Sequence, residues 1–129
     1  MPVGNARWSE DLSVGIASID ADHKKLFVLL NDLFAACFAG VGDEVVSDTL
    51  HVLSDYTQYH FTREESLLQE LGSPDLAQQI EKHRFLIEQL DKIARQGPAA
   101  TSEDLLLFLE EWLVRHIAET DKASFAPYK

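Results

Sequence analysis

Four apolar stripes of helical period, separated by three Gly/Pro-bearing breaks, constrain this 129-residue chain more than any other feature. The breaks are "AGVGD" (39–43), "GSPD" (72–75) and "QGPAAT" (96–101), lengths that join antiparallel neighbours. No alternating apolar pattern is long enough for a sheet, and no internal repeat or low-complexity run occurs. The expected fold is all-α, one domain over 1–129: an antiparallel up-down-up-down four-helix bundle. Its helices are placed at about 20–38, 43–71, 75–95 and 102–121. Asp20 reads as the first N-cap, and Pro74 suits the start of the third helix. A non-helical arm, 1–18, is expected to pack on the bundle through Trp8, Val14 and Ile16.

The stripes carry residues that do not belong in an apolar core. The first runs His23, Leu26, Phe27, Leu30, Leu33, Phe34, Cys37; the second Val46, Leu50, Leu53, Tyr56, His60, Glu64, Leu67, Leu71. The third runs Leu76, Gln79, Ile80, His83, Leu86, Ile87, Leu90, Ile93; the fourth Leu105, Phe108, Leu109, Trp112, Leu113, His116 and, near its end, Asp121. His60 and Glu64 are four apart, about 40° around a helix, so both point the same way. His116 and Asp121 are five apart, about 140°, a poor match for one face unless the helix end loosens or bulges. His51 supplies a control: it aligns with Asp55, Gln58 and Thr62 on the opposite side of its helix and reads as solvated surface.

A single histidine on such a stripe is ordinarily a satisfied core residue. Four histidines and two carboxylates on four apolar faces would each need a buried partner, whereas one metal cluster satisfies them together. Imidazole mixed with carboxylate, without thiolate, suits iron, manganese or zinc. Six ligands exceed one tetrahedral zinc and serve two ions bridged by carboxylates more naturally. The Glu-x-x-His signature of bundle di-iron carboxylate proteins is absent; His-x-x-x-Glu stands instead.

Bulk properties narrow the function classes. The net charge of −11 argues against nucleic acid and anionic membrane surfaces as partners. No apolar stretch approaches the roughly 20 residues of a membrane span, and "MPVGNARWSEDL" does not read as a signal peptide. Cys37 is the only cysteine, so no internal disulfide forms; it reads as a small buried hydrophobe. The chain reads as a cytoplasmic protein, with 46% hydrophobic and 26% charged residues.

The stretches "VGIASIDADHKKL" (14–26), "YTQYHFTREESLL" (56–68), "EKHRFL" (81–86) and "WLVRHIAETD" (112–121), with Trp8 in the arm, together resemble the hemerythrins, more closely the bacterial ones. That resemblance implies a four-helix bundle holding two Fe ions, joined by an oxo or hydroxo bridge and two carboxylates. Carried over by position, Glu64 and Asp121 are the bridges. His23 and His60 hold the iron that keeps an open position for dioxygen; His83 and His116 hold the other. The family's third helix carries His-x-x-x-His, and the first of that pair falls here on Gln79. Three outcomes are open: the Gln79 amide oxygen coordinates, it stands back and holds a water, or that iron binds weakly and is lost.

The implied function is reversible dioxygen binding for storage, delivery or sensing, by a monomer or weak oligomer and without a catalytic residue. Phe27, Leu30, Tyr56, Trp112 and Ile117 are candidates for lining the oxygen pocket, and core packing explains them equally well. The alternatives are a di-iron redox enzyme acting on peroxide or nitric oxide, and a degenerate bundle with one metal or none.

Overall fold

In the computed structural model, residues 7–38, 43–96 and 103–128 are described. The inward positions expected at Cys37, Val46, Ile93, Leu105 and Phe108 fall outside the described side chains. Four main helices form: α1 (Ala17–Phe38), α2 (Asp43–Glu70), α3 (Leu76–Gln96) and α4 (Glu103–Arg115). A π-helical turn, His116–Asp121, continues α4 and leads into a short α5 (Lys122–Phe125) and a final 3-10 turn (Ala126–Tyr128). The architecture is a four-helix bundle, with no strand among the described residues.

The stripes pack as their period requires. His23, Leu26, Phe27, Leu30, Leu33 and Phe34 of α1 are all buried, as are Leu50, Leu53, Leu86, Leu90, Leu109 and Leu113 of the other helices. These aliphatic and aromatic side chains form one core cluster, with Trp8, Tyr56 and Trp112 packed against it. A second, smaller cluster joins Val14, Ile19, Leu68 and Phe125, with Ile16, Leu67 and Leu76 against it. Trp8, Val14 and Ile16 of the arm thus pack as expected.

Several local expectations need correction. The arm is not wholly irregular, since Glu10–Leu12 forms a 3-10 turn. Helix α1 starts at Ala17, and Asp20 lies inside its first turn instead of capping it. The Asp20 carboxylate reaches back to the Val14 N–H (2.8 Å) and the Ser13 hydroxyl, closing the arm onto the helix start. Pro74 lies in the turn ahead of α3 and not in its first turn. Leu71 is not inward but 36% exposed, because α2 has ended by then. Gly72, at φ +67°, takes the left-handed conformation of a helix C-terminal cap. The Ser73 N–H donates to the Leu68 carbonyl and the Gly72 N–H to that of Gln69, the paired bonds of a Schellman stop. Leu68, off the expected stripe, is the fully buried residue there.

Candidate metal centre

Each helix interrupts its apolar stripe at the same level. On α1, His23 falls between Ile19 of the small cluster and Leu26 of the large one; on α2, His60 and Glu64 precede Leu68. On α3, Gln79 and His83 stand between Leu76 and Leu86; beyond α4, Asp121 stands between Ile117 and Phe125. The outcome is a polar layer enclosed by two apolar ones. His23, His60, Glu64, Gln79, His83, His116 and Asp121 are all buried, whereas His51, Asp55, Gln58 and Thr62 are exposed, as the control required.

The π turn resolves the spacing problem on the last helix. Its hydrogen bonds span five residues where an α-helix spans four, so His116 and Asp121 come one above the other. Asp121 Oδ1 lies 3.1 Å from His116 Nε2, and Asp121 Oδ2 lies 3.1 Å from His23 Nε2. Glu64 spans the layer similarly: Oε2 is 3.3 Å from His23 Nε2, and Oε1 is 3.2 Å from His60 Nε2 and 3.4 Å from His83 Nε2. Two four-residue groups result, His23/His60/Glu64/Asp121 and His83/His116/Glu64/Asp121, each with its donor atoms within 4.8 Å of one another. They share both carboxylates.

The unmet valences in this layer fit metal ions. His60 Nε2, Glu64 Oε1 and Asp121 Oδ2 are buried without a hydrogen-bond partner. Natural interiors rarely leave such atoms unpaired. His60 Nε2 and Glu64 Oε1 are close but misaligned for a hydrogen bond, as when two lone pairs converge on a third centre. His83 Nε2 and His116 Nε2 stand 3.1 Å apart. Neighbouring donors on one ion, with bonds of about 2.1 Å, have roughly that separation.

Residues outside the stripes orient the imidazoles. The His60 Nδ1–H donates to Asp22 Oδ2 at 3.0 Å, which turns the Nε2 lone pair inward. Asp22 is itself fixed by the Tyr56 hydroxyl (3.1 Å) and by Arg63 Nε at 3.5 Å. Burial, then the Asp22 charge, pushes Tyr56 up to about 12, so it remains a donor at neutral pH. On α3, the His83 Nδ1–H donates to Glu65 Oε2 at 2.7 Å. Phe61 stacks flat on His83, with centroids 3.8 Å apart. Removing either outer carboxylate, by Asp22→Asn or Glu65→Gln, is expected to weaken metal binding about 10- to 100-fold while retaining the bundle. Competition with a chelating dye measures this; unchanged affinity in both variants would deny them the orienting role.

Charge is balanced within the layer. Burial works against a charged His23, but the Asp121 and Glu64 carboxylates beside it outweigh that and push the imidazole up to about 9. Burial alone would raise Glu64; His60, His23 and His83 overcome it and hold the carboxyl well below its usual range. His83 is raised, with burial opposed by Glu64 and then Glu65. Protons and metal therefore compete for the same lone pairs.

Of the pocket candidates, Phe27, Leu30 and Ile117 are buried in the large cluster. Tyr56 is engaged with Asp22. Trp112 lies at the opposite end from His23 and His60, stacked on His116 with centroids 4.7 Å apart. It also lines a surface cleft of about 390 Å³ with Lys82, Arg115, His116 and Thr120.

Two shared carboxylates, four imidazoles and their order along four helices coincide with a family match. Residues 14–126 match the model of the hemerythrin HHE cation binding domain. The chain belongs to the hemerythrin family. A bacteriohemerythrin of Methylococcus capsulatus is 34% identical over 85% of this chain and 84% of its own length. One from Stenotrophomonas maltophilia is 31% identical over 90% and 76%. A myohemerythrin of Theromyzon tessulatum is 32% identical over 89% and 87%. A crystal structure of wild-type hemerythrin superposes with a TM-score of 0.85 at 25% identity, covering 95% of this chain and 98% of that one. Hemerythrins hold a non-heme di-iron centre that binds oxygen, and the donor set described here suits that cofactor. None of the described helices is long and apolar enough to cross a membrane.

Proposed function

We propose that this hemerythrin binds dioxygen reversibly at two iron ions held in the polar layer, for storage, delivery or sensing. The observation that carries the reading is the pair of buried donor groups sharing Glu64 and Asp121. In it, His23 and His60 would hold one ion, His83 and His116 the other, and Glu64 and Asp121 would serve both. When bound, the ferrous pair supplies the two electrons that dioxygen takes up and returns.

The chain's own residues supply the rest. Asp22 and Glu65 fix the rings of His60 and His83 with their lone pairs inward. Leu26, Phe27, Leu30 and Ile117 keep water from one side of the layer, and Ile19, Leu68 and Phe125 from the other. A dry surround suppresses loss of the bound oxygen as a solvated, protonated product. We place the protein in the cytoplasm, in keeping with its single cysteine, as a monomer or weak oligomer.

Protein loaded anaerobically with ferrous iron and desalted is expected to retain two irons per chain. Its visible spectrum should change on exposure to dioxygen and return on purging, over repeated cycles. One iron per chain, or a change that never reverses, would end the carrier reading.

A further inference from the structure

The third helix contributes a buried side chain to the polar layer whose hydrogen bonding is half complete. Gln79 is fully buried one turn before His83. Its Nε2 lies 3.0 Å from Asp121 Oδ1 and 3.1 Å from Ser124 Oγ. The Ser124 hydroxyl spends its own proton on Asp75 Oδ2 at 3.0 Å, so it offers Gln79 only lone pairs. The Asp121 carboxylate also only accepts. Both neighbours therefore demand the amide NH₂, which has one proton for each. A reversed amide would set its carbonyl against two acceptors.

This network leaves Gln79 Oε1 over. It is buried and has no hydrogen-bond partner. Amide geometry keeps it within about 5 Å of Asp121 Oδ1, the oxygen that lies 3.1 Å from His116 Nε2. A carbonyl left unpaired in such a place is costly unless something completes it.

We propose that Gln79 does not ligate iron, and that its carbonyl instead serves a second exchangeable position on the ion held by His83 and His116. This rests on the di-iron reading above. The carbonyl accepts and cannot donate, so the ligand suited to it bears an O–H: water at rest, replaceable by another small protic ligand such as hydrogen peroxide. Azide or cyanide, having no proton to give, gains nothing from Oε1. The cleft lined by Trp112, Lys82 and Thr120 includes His116 in its wall, so solvent comes up to this end of the layer. The His83/His116 end exchanges water.

The test begins with iron content, because fewer than two irons per chain would defeat the di-iron reading itself. With two irons present, a crystal structure of the anaerobically reduced protein decides the inference. The expected result is a solvent oxygen on the His83/His116 ion, within hydrogen-bonding distance of Gln79 Oε1. A direct bond from Oε1 to iron, or an ion without a solvent ligand, would overturn it. The Gln79→His variant, crystallised in the same way, is expected to keep two irons and lose that one solvent ligand. A solvent ligand unchanged in that variant would also overturn the inference. Should the variant fail to fold, the wild-type structure still decides.

Discussion

Replacing Glu64 with alanine is expected to reduce iron from two per chain to almost none. Its two oxygens reach the Nε2 atoms of His23, His60 and His83, on three different helices, at 3.2 to 3.4 Å. The loss would therefore take a donor from both groups at once, whereas any one histidine belongs to a single group. It also leaves buried imidazoles with Asp121 as their remaining carboxylate within the layer. Deleting one partner of a buried charged pair costs about 3–5 kcal/mol, so the metal-free variant should also melt earlier. His51→Ala is the matched control: it removes an imidazole from the exposed side of α2 and should leave iron content and melting unchanged. Elemental analysis of desalted protein and thermal denaturation give both readouts. Two irons retained by Glu64→Ala would remove Glu64 from the site.

Bound iron is expected to raise the stability of the fold by several kcal/mol. A ligand that binds only the folded state, at 100 times its dissociation constant, adds about 2.7 kcal/mol, and two sites add roughly twice that. For a domain of this size the melting temperature should rise on the order of 15 °C between chelator-treated and anaerobically loaded protein. The difference is expected to depend on pH, and its sign follows from His23. Without metal, His23 is raised from 6.5 to about 9. Its protonation therefore stabilises the metal-free fold fully below pH 6.5, and that contribution fades as pH climbs through 9. Bound iron needs the deprotonated ring, so its advantage grows over the same interval. The gap in melting temperature should widen from pH 6.5 to 9; a gap that narrows would contradict the competition between proton and metal. Differential scanning calorimetry at fixed free iron supplies the comparison.

What could be read from the sequence was whatever a single helix encodes. Stripe positions such as Leu30, Leu53 and Leu90, and the misfit residues His23, His60, Glu64, His83 and His116, follow from a 3.6-residue period alone. So does the exposure of His51. The residues that orient the rings do not. Asp22 adjoins His23 and Glu65 adjoins Glu64, about 100° off the stripe, where a carboxylate ordinarily meets solvent. Their partners, His60 and His83, lie 38 and 18 residues away. Only packing brings them together. Phe61 was missed in the same way, since it faces α3 and α4 beside the stripe and stacks on His83. Ser124 lay beyond the expected end of the last helix, and nothing local links it to Gln79 or Asp75. The start of α1 was misplaced because an aspartate ahead of an apolar run has two uses, and here it closes the preceding loop.

The π turn also explains why the two carboxylates shared by the donor groups differ in length. On α2 an ordinary α turn separates His60 from Glu64, and the side chain crosses to the layer's centre with two methylenes. After α4 the backbone carries one extra residue between His116 and Asp121, and the side chain crosses with one methylene. The same junction is thus made twice from different materials: a longer arm on a tight coil, and a shorter arm on a wider one. Both arms end in fully enclosed slots. Glutamate at 121 would be a methylene too long for its slot, and aspartate at 64 a methylene too short for its span. Two side chains with the same charge and the same task are therefore not interchangeable, and the length of each records the coil that carries it.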